Sequence, residues 1–242
     1  MKILITNDDG ISNKGIRLLA QWAKKLGEVT IVAPKIEQSA KSHAIDIANP
    51  IEIKKVPFME GVEAYSMAST PADCVRYGVL GLKEKFDLVL SGINCGINVG
   101  IDVVYSGTVG AVFEGARLGI NGIAFSSFPD EQEEAAAYLD QVYEYLTKNN
   151  LFAENPIYNV NIPKNAKGLR MTYQGSPYFS DEFAKVEGKE DTYVQVGEPI
   201  ADVCPDDFDR DTVAVCGGII SVTPLLATRT NMSVFEKFRT KE

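Results

Sequence analysis

Two adjacent aspartates, Asp8 and Asp9, follow an apolar stretch near the start of the chain, in the segment ILITNDDG. Neighbouring carboxylates repel each other, so such a pair usually lies in water, caps a helix or holds a cation. Side chains alternate along a strand, and both carboxylates can face one ion only if the chain turns after the strand. Gly10 permits that turn. A helix cap near Ser12 and a cation site both remain open from this segment alone.

Further oxygen-bearing side chains follow other predicted strands. Ser39 comes after the strand VTIVAP, and Asn94 and Asn98 lie in the glycine-rich segment SGINCGINVG. Carboxylate, amide and hydroxyl oxygens suit a hard divalent cation such as Mg²⁺ or Mn²⁺, whereas zinc prefers histidine and cysteine. Because ligands bind beyond the carboxyl ends of strands in an open α/β sheet, we expect these side chains at one edge.

The segment YSGTVGA places Ser106, Gly107 and Thr108 at the start of a predicted helix. Free N–H groups and hydroxyls at a helix N-terminus can bind phosphate, although an isolated SGT is also typical of an ordinary helix cap. The glycines of SGINCGINVG match neither the P-loop nor the dinucleotide fingerprint. His43, the single histidine, is more often structural than catalytic in such a setting.

The order of the elements predicts an α/β fold. Short β-branched runs alternate with helical patterns, which calls for a mostly parallel sheet with helices on both faces. The predicted strands are KILIT, VTIVAP, FDLVLSGIN, GIAFSS, IYNVNIP and AVCGGIISVTPL, and the predicted helices are SNKGIRLLAQWAKKLG, STPADCVRYGVLGL, GTVGAVFEGARLG, DEQEEAAAYLDQVYEYLTKNN and NMSVFEKFRTKE. The region 45–68 alternates as an antiparallel hairpin or edge excursion would. The acidic run Asp206, Asp207, Asp209 and Asp211 lacks EF-hand spacing and predicts a solvated loop.

Composition excludes several classes of protein. The 242 residues carry a net charge of −9, which argues against binding along a nucleic-acid polymer. The apolar run at the N-terminus is too short for a signal peptide, and no run reaches the length of a membrane span. We therefore expect a cytoplasmic protein without membrane contact. Four widely spaced cysteines predict reduced, buried thiols rather than disulfides or a zinc site, namely Cys74, Cys95, Cys204 and Cys216.

Several motifs together, in their order along the chain, resemble the SurE (survival protein E) family of metal-dependent 5′/3′-nucleotidases. They are ILITNDDG, APKIEQS, STPADCV, SGINCGINVG, YSGTVGA, EGARLG, NVNIP and ISVTPL, and they run from residue 2 to about residue 226. Three departures are Ser39-Ala40, where many members have Ser-Gly, GGIISVTP in place of GYVSVTP, and YQGSPY, where some members carry a basic run. None of them changes a ligand that the resemblance implies.

The resemblance implies a single catalytic domain over 1–242. It would consist of a Rossmann-like three-layer core, 1–165, with the 45–68 hairpin, and of a C-terminal extension, 166–242, with a dimerisation arm at about 175–212. The implied assembly is a homodimer, sometimes a tetramer. The implied ligands of one divalent cation, Mg²⁺ or Mn²⁺, are Asp8, Asp9, Ser39 and Asn94. The implied phosphate contacts are Asn98, Ser106, Gly107 and Thr108, joined in substrate binding by Ser39.

The resulting hypothesis is hydrolysis of nucleoside 5′- and 3′-monophosphates by metal-activated water, with Asp8, Asp9 and Asn94 as the catalytic residues. His43 is a candidate for the acid that protonates the leaving group, which the sequence does not assign. One alternative is a covalent aspartyl-phosphate phosphatase, although that chemistry usually needs two carboxylates separated by one residue and followed by threonine. The other alternative is a non-catalytic nucleotide or metal sensor that has the same pocket.

Overall fold

A computed structural model describes residues 1–200 and 207–239 of the chain. Its strands are β1 (Lys2–Thr6), β2 (Glu28–Pro34), β3 (Ile53–Lys55), β4 (Glu63–Met67), β5 (Leu88–Cys95), β6 (Asn121–Ser127), β7 (Ile157–Ile162), β8 (Leu169–Met171), β9 (Phe179–Lys185), β10 (Tyr193–Pro199) and β11 (Ile220–Pro224). Its α-helices are α1 (Lys14–Ala23), α2 (Pro71–Arg76), α3 (Gly107–Arg117), α4 (Gln132–Ala136), α5 (Leu139–Lys148), α6 (Asp211–Cys216) and α7 (Met232–Phe238).

Nine of these strands form one sheet in the order β3-β4-β2-β1-β5-β6-β7-β11-β8. The six central strands from β4 to β7 run parallel to one another. Strand β3 pairs antiparallel with β4 at one edge, and β11 pairs antiparallel with β7 near the other. The carboxyl ends of β1, β2 and β5 therefore meet at the same edge of the sheet, where α/β proteins bind ligands.

Helices cover both faces of the sheet, as expected from strands that are apolar on both sides. On one face, Ile3 and Ile5 of β1 pack in a cluster with Leu19 and Trp22 of α1. On the other face, Leu4 of the same strand belongs to a second cluster that includes residues of α2 and α3. The predicted three-layer α/β core with a mostly parallel sheet is confirmed.

Two predicted elements are wrong in detail. The amphipathic stretch at 130–150 forms α4 and α5 rather than one helix, because the helical conformation is interrupted around Ala137 and Tyr138. The run AVCGGIISVTPL is a strand only from Ile220, whereas residues 211–216 form α6. Its short apolar run is equally compatible with a buried helix, and Gly218, with a φ of +84°, separates the two elements.

Strands β9 and β10 form an antiparallel hairpin that is separate from the nine-stranded sheet, here called the arm (179–199). The predicted dimerisation segment at about 175–212 contains this hairpin, and its part at 201–206, with Cys204 and Asp206, lies outside the described residues. The solvated-loop prediction is wrong for Asp211. That side chain is fully buried and accepts hydrogen bonds from the N–H groups of Gly100, Gly175 and Thr212.

Cys74, Cys95 and Cys216 are free cysteines. Cys74 is buried, as predicted, whereas the prediction of burial is wrong for Cys95 and Cys216, which are exposed. Within the described part of the chain, no helix is long and apolar enough to cross a membrane.

Candidate active site

The two adjacent aspartates lie in a tight turn beyond the carboxyl end of β1. The strand ends at Thr6, and the side-chain amide of Asn7 donates to the carbonyl of Gly10 at 2.9 Å. Gly10 has a φ of +97°, and a Cβ at this position would lie 3.3 Å from the carbonyl carbon of Ile36. Both the backbone conformation and the close approach of the neighbouring loop therefore require glycine at the predicted turn.

Neither aspartate caps α1, the helix that follows them in the sequence. Helix α1 begins after Asn13, whose side-chain oxygen accepts from the N–H of Gly15 at 2.6 Å. The carboxylate of Asp8 instead accepts from the hydroxyl of Thr108, and that of Asp9 accepts from the N–H of Cys95. The helix-cap interpretation of the paired aspartates is therefore wrong.

One cavity of about 600 Å³ collects most of the predicted site residues at the carboxyl edge of the sheet. Asp8, Asp9, Ser39, Asn94, Asn98 and Ser106 all line it. Gly107 and Thr108 follow Ser106 at the start of α3, where both lie next to Asp8. The cavity is also lined by residues that the sequence analysis did not name as site residues, among them Glu37, Asp102, Tyr105 and Phe179.

Asp8 is the more buried of the paired carboxylates, with 5% of its surface exposed. Burial raises its pKa, while hydrogen bonds from the hydroxyl and the N–H of Thr108 act in the opposite direction. The first turn of α3 approaches this carboxylate so closely that a Cβ on Gly107 would lie 3.1 Å from Asp8 Oδ2. The helix N-terminus therefore holds Asp8 directly, which is favourable for a negative charge at this end of the helix dipole.

The cavity carries excess negative charge. Burial, followed by the charge of Asp8, raises the pKa of Asp9 to about 6, and Glu37 adds a smaller effect of the same sign. Among the described residues that line the cavity there is no lysine or arginine. Two partly desolvated carboxylates without a basic partner are costly, and a bound cation would offset that cost.

The two remaining predicted ligands offer oxygens of the right kind. The amide nitrogen of Asn94 donates to the carbonyl of Gly96 at 2.8 Å, which leaves its Oδ1 free to accept or to coordinate. The hydroxyl of Ser39 donates to Glu37 at 2.5 Å, and its oxygen keeps lone pairs. Within residues 1–200 and 207–239, no group of three or more acidic, histidine or cysteine side chains could hold a metal. A cation here would thus need the amide and hydroxyl oxygens, a set that fits Mg²⁺ or Mn²⁺.

Asn98 is held in place by a set of hydrogen bonds that the sequence analysis missed. Its backbone N–H donates to Asn161 Oδ1 at 2.7 Å, and its carbonyl accepts from the side chains of Asn159 and Asn161. Its own amide nitrogen donates to Ser126 on the neighbouring strand β6 at 2.8 Å. The available signal was the alternation of asparagine with apolar residues in NVNIP, because polar groups inside a strand need buried partners.

His43 lies apart from the paired aspartates. Its Nε2 is 2.8 Å from a carboxylate oxygen of Glu114, and it lines a smaller neighbouring cavity of about 160 Å³. Burial acts to raise the pKa of Glu114, but hydrogen bonds from His43, Arg117 and Arg76 outweigh it and lower the pKa to about 2. The structure thus brings His43 into a charged cluster on α3 and not to the cavity of the predicted ligands.

Known proteins are similar to this chain over most of its length. The family described as Survival protein SurE matches residues 3–181. The chain belongs to the SurE family. A protein of Thermoanaerobacter sp. (strain X514) named 5′-nucleotidase SurE is 40% identical over 235 residues, covering 93% of this chain and 92% of that protein.

Two further SurE proteins match over nearly the whole chain. The 5′-nucleotidase SurE of Thermosipho melanesiensis is 39% identical over 241 residues, which cover 96% of this chain and 93% of that protein. The crystal structure of the SurE protein from Aquifex aeolicus superimposes with a TM-score of 0.83 at 33% identity, covering 99% of this chain and 98% of that one. The family resemblance inferred from the motifs is thereby confirmed.

Proposed function

We propose that this SurE-family chain is a metal-dependent phosphomonoesterase that hydrolyses nucleoside 5′-monophosphates, and also 3′-monophosphates, to nucleoside and phosphate. One observation carries the proposal. Two adjacent, partly desolvated carboxylates share a cavity with amide and hydroxyl oxygens, and no described basic side chain lines it. The names of the relatives, 5′-nucleotidase SurE, supply the substrate class.

Asp8, Asp9, Ser39 and Asn94 would hold one divalent cation, Mg²⁺ or Mn²⁺. When bound, the cation supplies Lewis acidity and neutralises charge on phosphoryl oxygens. The residues of the chain orient this site: Thr108 fixes the carboxylate of Asp8, and Gly96 fixes the amide of Asn94 through its carbonyl. Fixed ligands lower the reorganisation that catalysis would otherwise require.

Asn98, Ser106 and Gly107 would contact the phosphate. Asn98 uses one hydrogen of its amide nitrogen on Ser126, so the second can donate to a phosphoryl oxygen. The oxygen of Ser106 accepts from the N–H of Val109, which leaves the hydroxyl hydrogen available for donation. Donors placed at the N-terminus of an eleven-residue helix favour an anion. The contribution of Thr108 to phosphate binding would be indirect, through Asp8.

The arm would join two copies of this chain into a homodimer, or more copies into a tetramer. The arm pairs only with itself among the described strands, and Phe183 and Tyr193 are 69% and 57% exposed on it. A two-stranded ribbon with exposed apolar side chains is unstable in isolation and gains from a partner.

The test is hydrolysis of a panel of nucleoside 5′- and 3′-monophosphates and p-nitrophenyl phosphate. Each substrate is assayed with Mn²⁺, with Mg²⁺ and with a chelator. We expect phosphate release that depends on the cation and is abolished by chelation. Activity that survives thorough chelation would contradict the metal dependence, and an acid-labile phosphoenzyme would favour a covalent aspartyl phosphate instead. Cation-dependent nucleotide binding without any phosphate release would favour a sensor.

A further inference from the structure

The cavity that contains the paired aspartates is also lined by apolar and aromatic side chains. Ile97, Val99, Tyr105 and Phe179 line it together with the polar residues. A volume of about 600 Å³ falls within the range of cavities that enclose whole organic ligands, and a phosphate group alone occupies a small part of it. The apolar and aromatic residues therefore need a ligand group of their own, larger than the phosphate.

Phe179 differs from the other members because it belongs to the arm and not to the core. It is the first residue of β9, and its ring is 40% exposed. The adjacent ring of Tyr178 packs against it edge to face, with centroids 4.9 Å apart and an angle of 87° between the planes. This contact fixes the orientation of the phenyl ring while leaving part of it accessible.

Asp102 fixes the backbone that carries this ring. Its Oδ2 accepts from the N–H groups of Tyr178 and Phe179 at 2.6 and 3.1 Å. Asp102 lies in the 3-10 turn Gly100–Tyr105, which leads directly into the N-cap of α3. One side chain therefore joins the start of the arm to the segment that precedes the predicted phosphate contacts.

A second carboxylate, which is fully buried, strengthens the same connection. Asp211 accepts from the N–H of Gly175 at 2.8 Å and from the N–H of Gly100 at 2.9 Å. The segment that leads into the arm is thus connected to the turn at Gly175, through Asp211, as well as at Tyr178 and Phe179, through Asp102. Hydrogen bonds to a buried carboxylate are strong, and loss of one partner leaves an unsatisfied group.

We propose that Phe179 stacks on the nucleobase of the substrate and gives the site its preference for nucleotides over phosphate esters without a base, and that Asp102 positions this ring. The inference rests on the proposed nucleotidase function. Tyr105, which lines the same cavity and is 57% exposed, provides a second aromatic surface for the base. Stacking tolerates every base, so the residue selects the presence of a base and not its identity.

The test compares a nucleoside 5′-monophosphate with ribose 5-phosphate, which has the same ester and no base. For Phe179→Ala we expect the kcat/KM ratio of nucleotide to ribose 5-phosphate to fall roughly 5- to 100-fold, the range that stacking on one aromatic ring provides. The change should appear mainly in KM, because stacking is made equally in the ground and transition states. Phe183→Ala is the matched control, since it removes the same ring from the same strand outside the cavity lining.

Asp102 is tested with two variants. Asp102→Ala removes the acceptor for both N–H groups and should lower the same ratio, whereas Asp102→Asn keeps an acceptor oxygen and should restore most of it. A general loss of folding would lower kcat/KM for both substrates alike, and Asp102→Asn would then not restore the ratio between them. The ratio therefore separates a positioning role from a structural one.

Binding of the free nucleoside, measured by titration calorimetry, tests the base site independently of hydrolysis. Weaker nucleoside binding by Phe179→Ala, with Phe183→Ala unchanged, supports the proposal even if no ester is cleaved. An unchanged substrate ratio together with unchanged nucleoside binding would overturn it. An equal loss on both substrates, accompanied by a change in molecular mass, would assign Phe179 to assembly and would also overturn it. Failure of the nucleotidase function itself would appear as no hydrolysis of any ester by the unaltered chain.

Discussion

The hydroxyl oxygen of Thr108 lies 2.5 Å from Oδ1 of Asp8, which joins the first turn of α3 to the turn after β1. Both groups are buried, and the backbone N–H of Thr108 also acts to lower the pKa of Asp8. A segment that resembles a phosphate-binding helix start in the sequence is thus directed in part at a protein carboxylate. Thr108 acts on the proposed chemistry by orienting a metal ligand.

Thr108→Val is expected to lower cation-dependent activity. The substitution keeps the shape of the side chain and removes the hydrogen bond to a charged group, an interaction of about 1.5–3 kcal/mol. We expect kcat/KM to fall roughly 10- to 100-fold and the Mn²⁺ concentration for half-maximal activity to rise. Thr108→Ser retains the hydroxyl and serves as the control. Full activity of the valine variant at low Mn²⁺ would show that Asp8 needs no such support.

Much of this site was predictable because its members directly follow strands. Asp8, Ser39 and Asn94 come at the carboxyl ends of β1, β2 and β5 or in the loops after them, and parallel strands bring those ends together. The resemblance added roles that residue types alone left open. The choice between a helix cap and a cation site needed the structure, since it depended on Asn13 capping α1 instead.

The remaining site residues could not be predicted from the sequence, because contacts between residues far apart in the chain define their positions. Phe179 is far along the chain from Asp102, and Asn161 is far from Asn98, yet both pairs are hydrogen-bonded. No local pattern signals such a pairing. The helix α6 was missed for a different reason: a short apolar run has no periodicity that separates a buried helix from a strand.

Asp9→Asn should change stability and cation binding in opposite directions. Removing this charge removes the cost of its burial and the repulsion from Asp8, which together raise the pKa of Asp9. The variant should therefore be more stable in chelator, by about 1 kcal/mol given the partial exposure of the group. The same change removes a ligand and should lower the stabilisation that Mn²⁺ provides. Thermal unfolding with chelator and with a Mn²⁺ series measures both effects.

A different outcome would separate the roles of this residue. Asp9→Asn could instead destabilise the protein in chelator and leave the stabilisation by Mn²⁺ unchanged. Asp9 would then have a structural role, and the hydrogen bond that it accepts from the N–H of Cys95 would be the important contact. Asp87→Asn offers a comparison at an aspartate remote from the cavity, one that accepts from the N–H of Lys2. It should leave the response to Mn²⁺ unaltered.

A shortened arm should abolish the proposed dimer while preserving the fold. Glu182 and Val196 are paired directly across the hairpin, so replacing residues 183–195 by Asn-Gly gives a two-residue turn in the correct register. The replacement removes the exposed Phe183 and Tyr193 and keeps Phe179 at the cavity. We expect light scattering to show a dimer for the full chain and a monomer for the shortened one, with unchanged circular dichroism. A dimeric mass for the shortened chain would place the interface elsewhere.

The cluster around Glu114 should make a pH-dependent contribution to stability. Hydrogen bonds from His43, Arg117 and Arg76 outweigh burial and lower the pKa of this carboxyl from 4.5 to about 2. An acid whose pKa is lower in the folded state adds stability above its unfolded pKa and loses it as the pH falls through the folded value. Glu114→Gln should therefore be less stable than the unaltered chain near neutral pH, by about 2 kcal/mol after allowance for the partly exposed arginines.

This difference should shrink as the pH is lowered from about 4.5 towards 2, because the unaltered carboxyl then becomes neutral as well. Urea unfolding of both proteins at a series of pH values measures it. Glu63→Gln is the matched control, since Glu63 pairs with Lys55 on the surface and exposed pairs contribute little. A Glu114→Gln deficit that stayed constant from neutral pH down to about pH 3 would assign the role of Glu114 to packing on α3, and would show that its hydrogen bonds with His43, Arg76 and Arg117 add no net stabilisation.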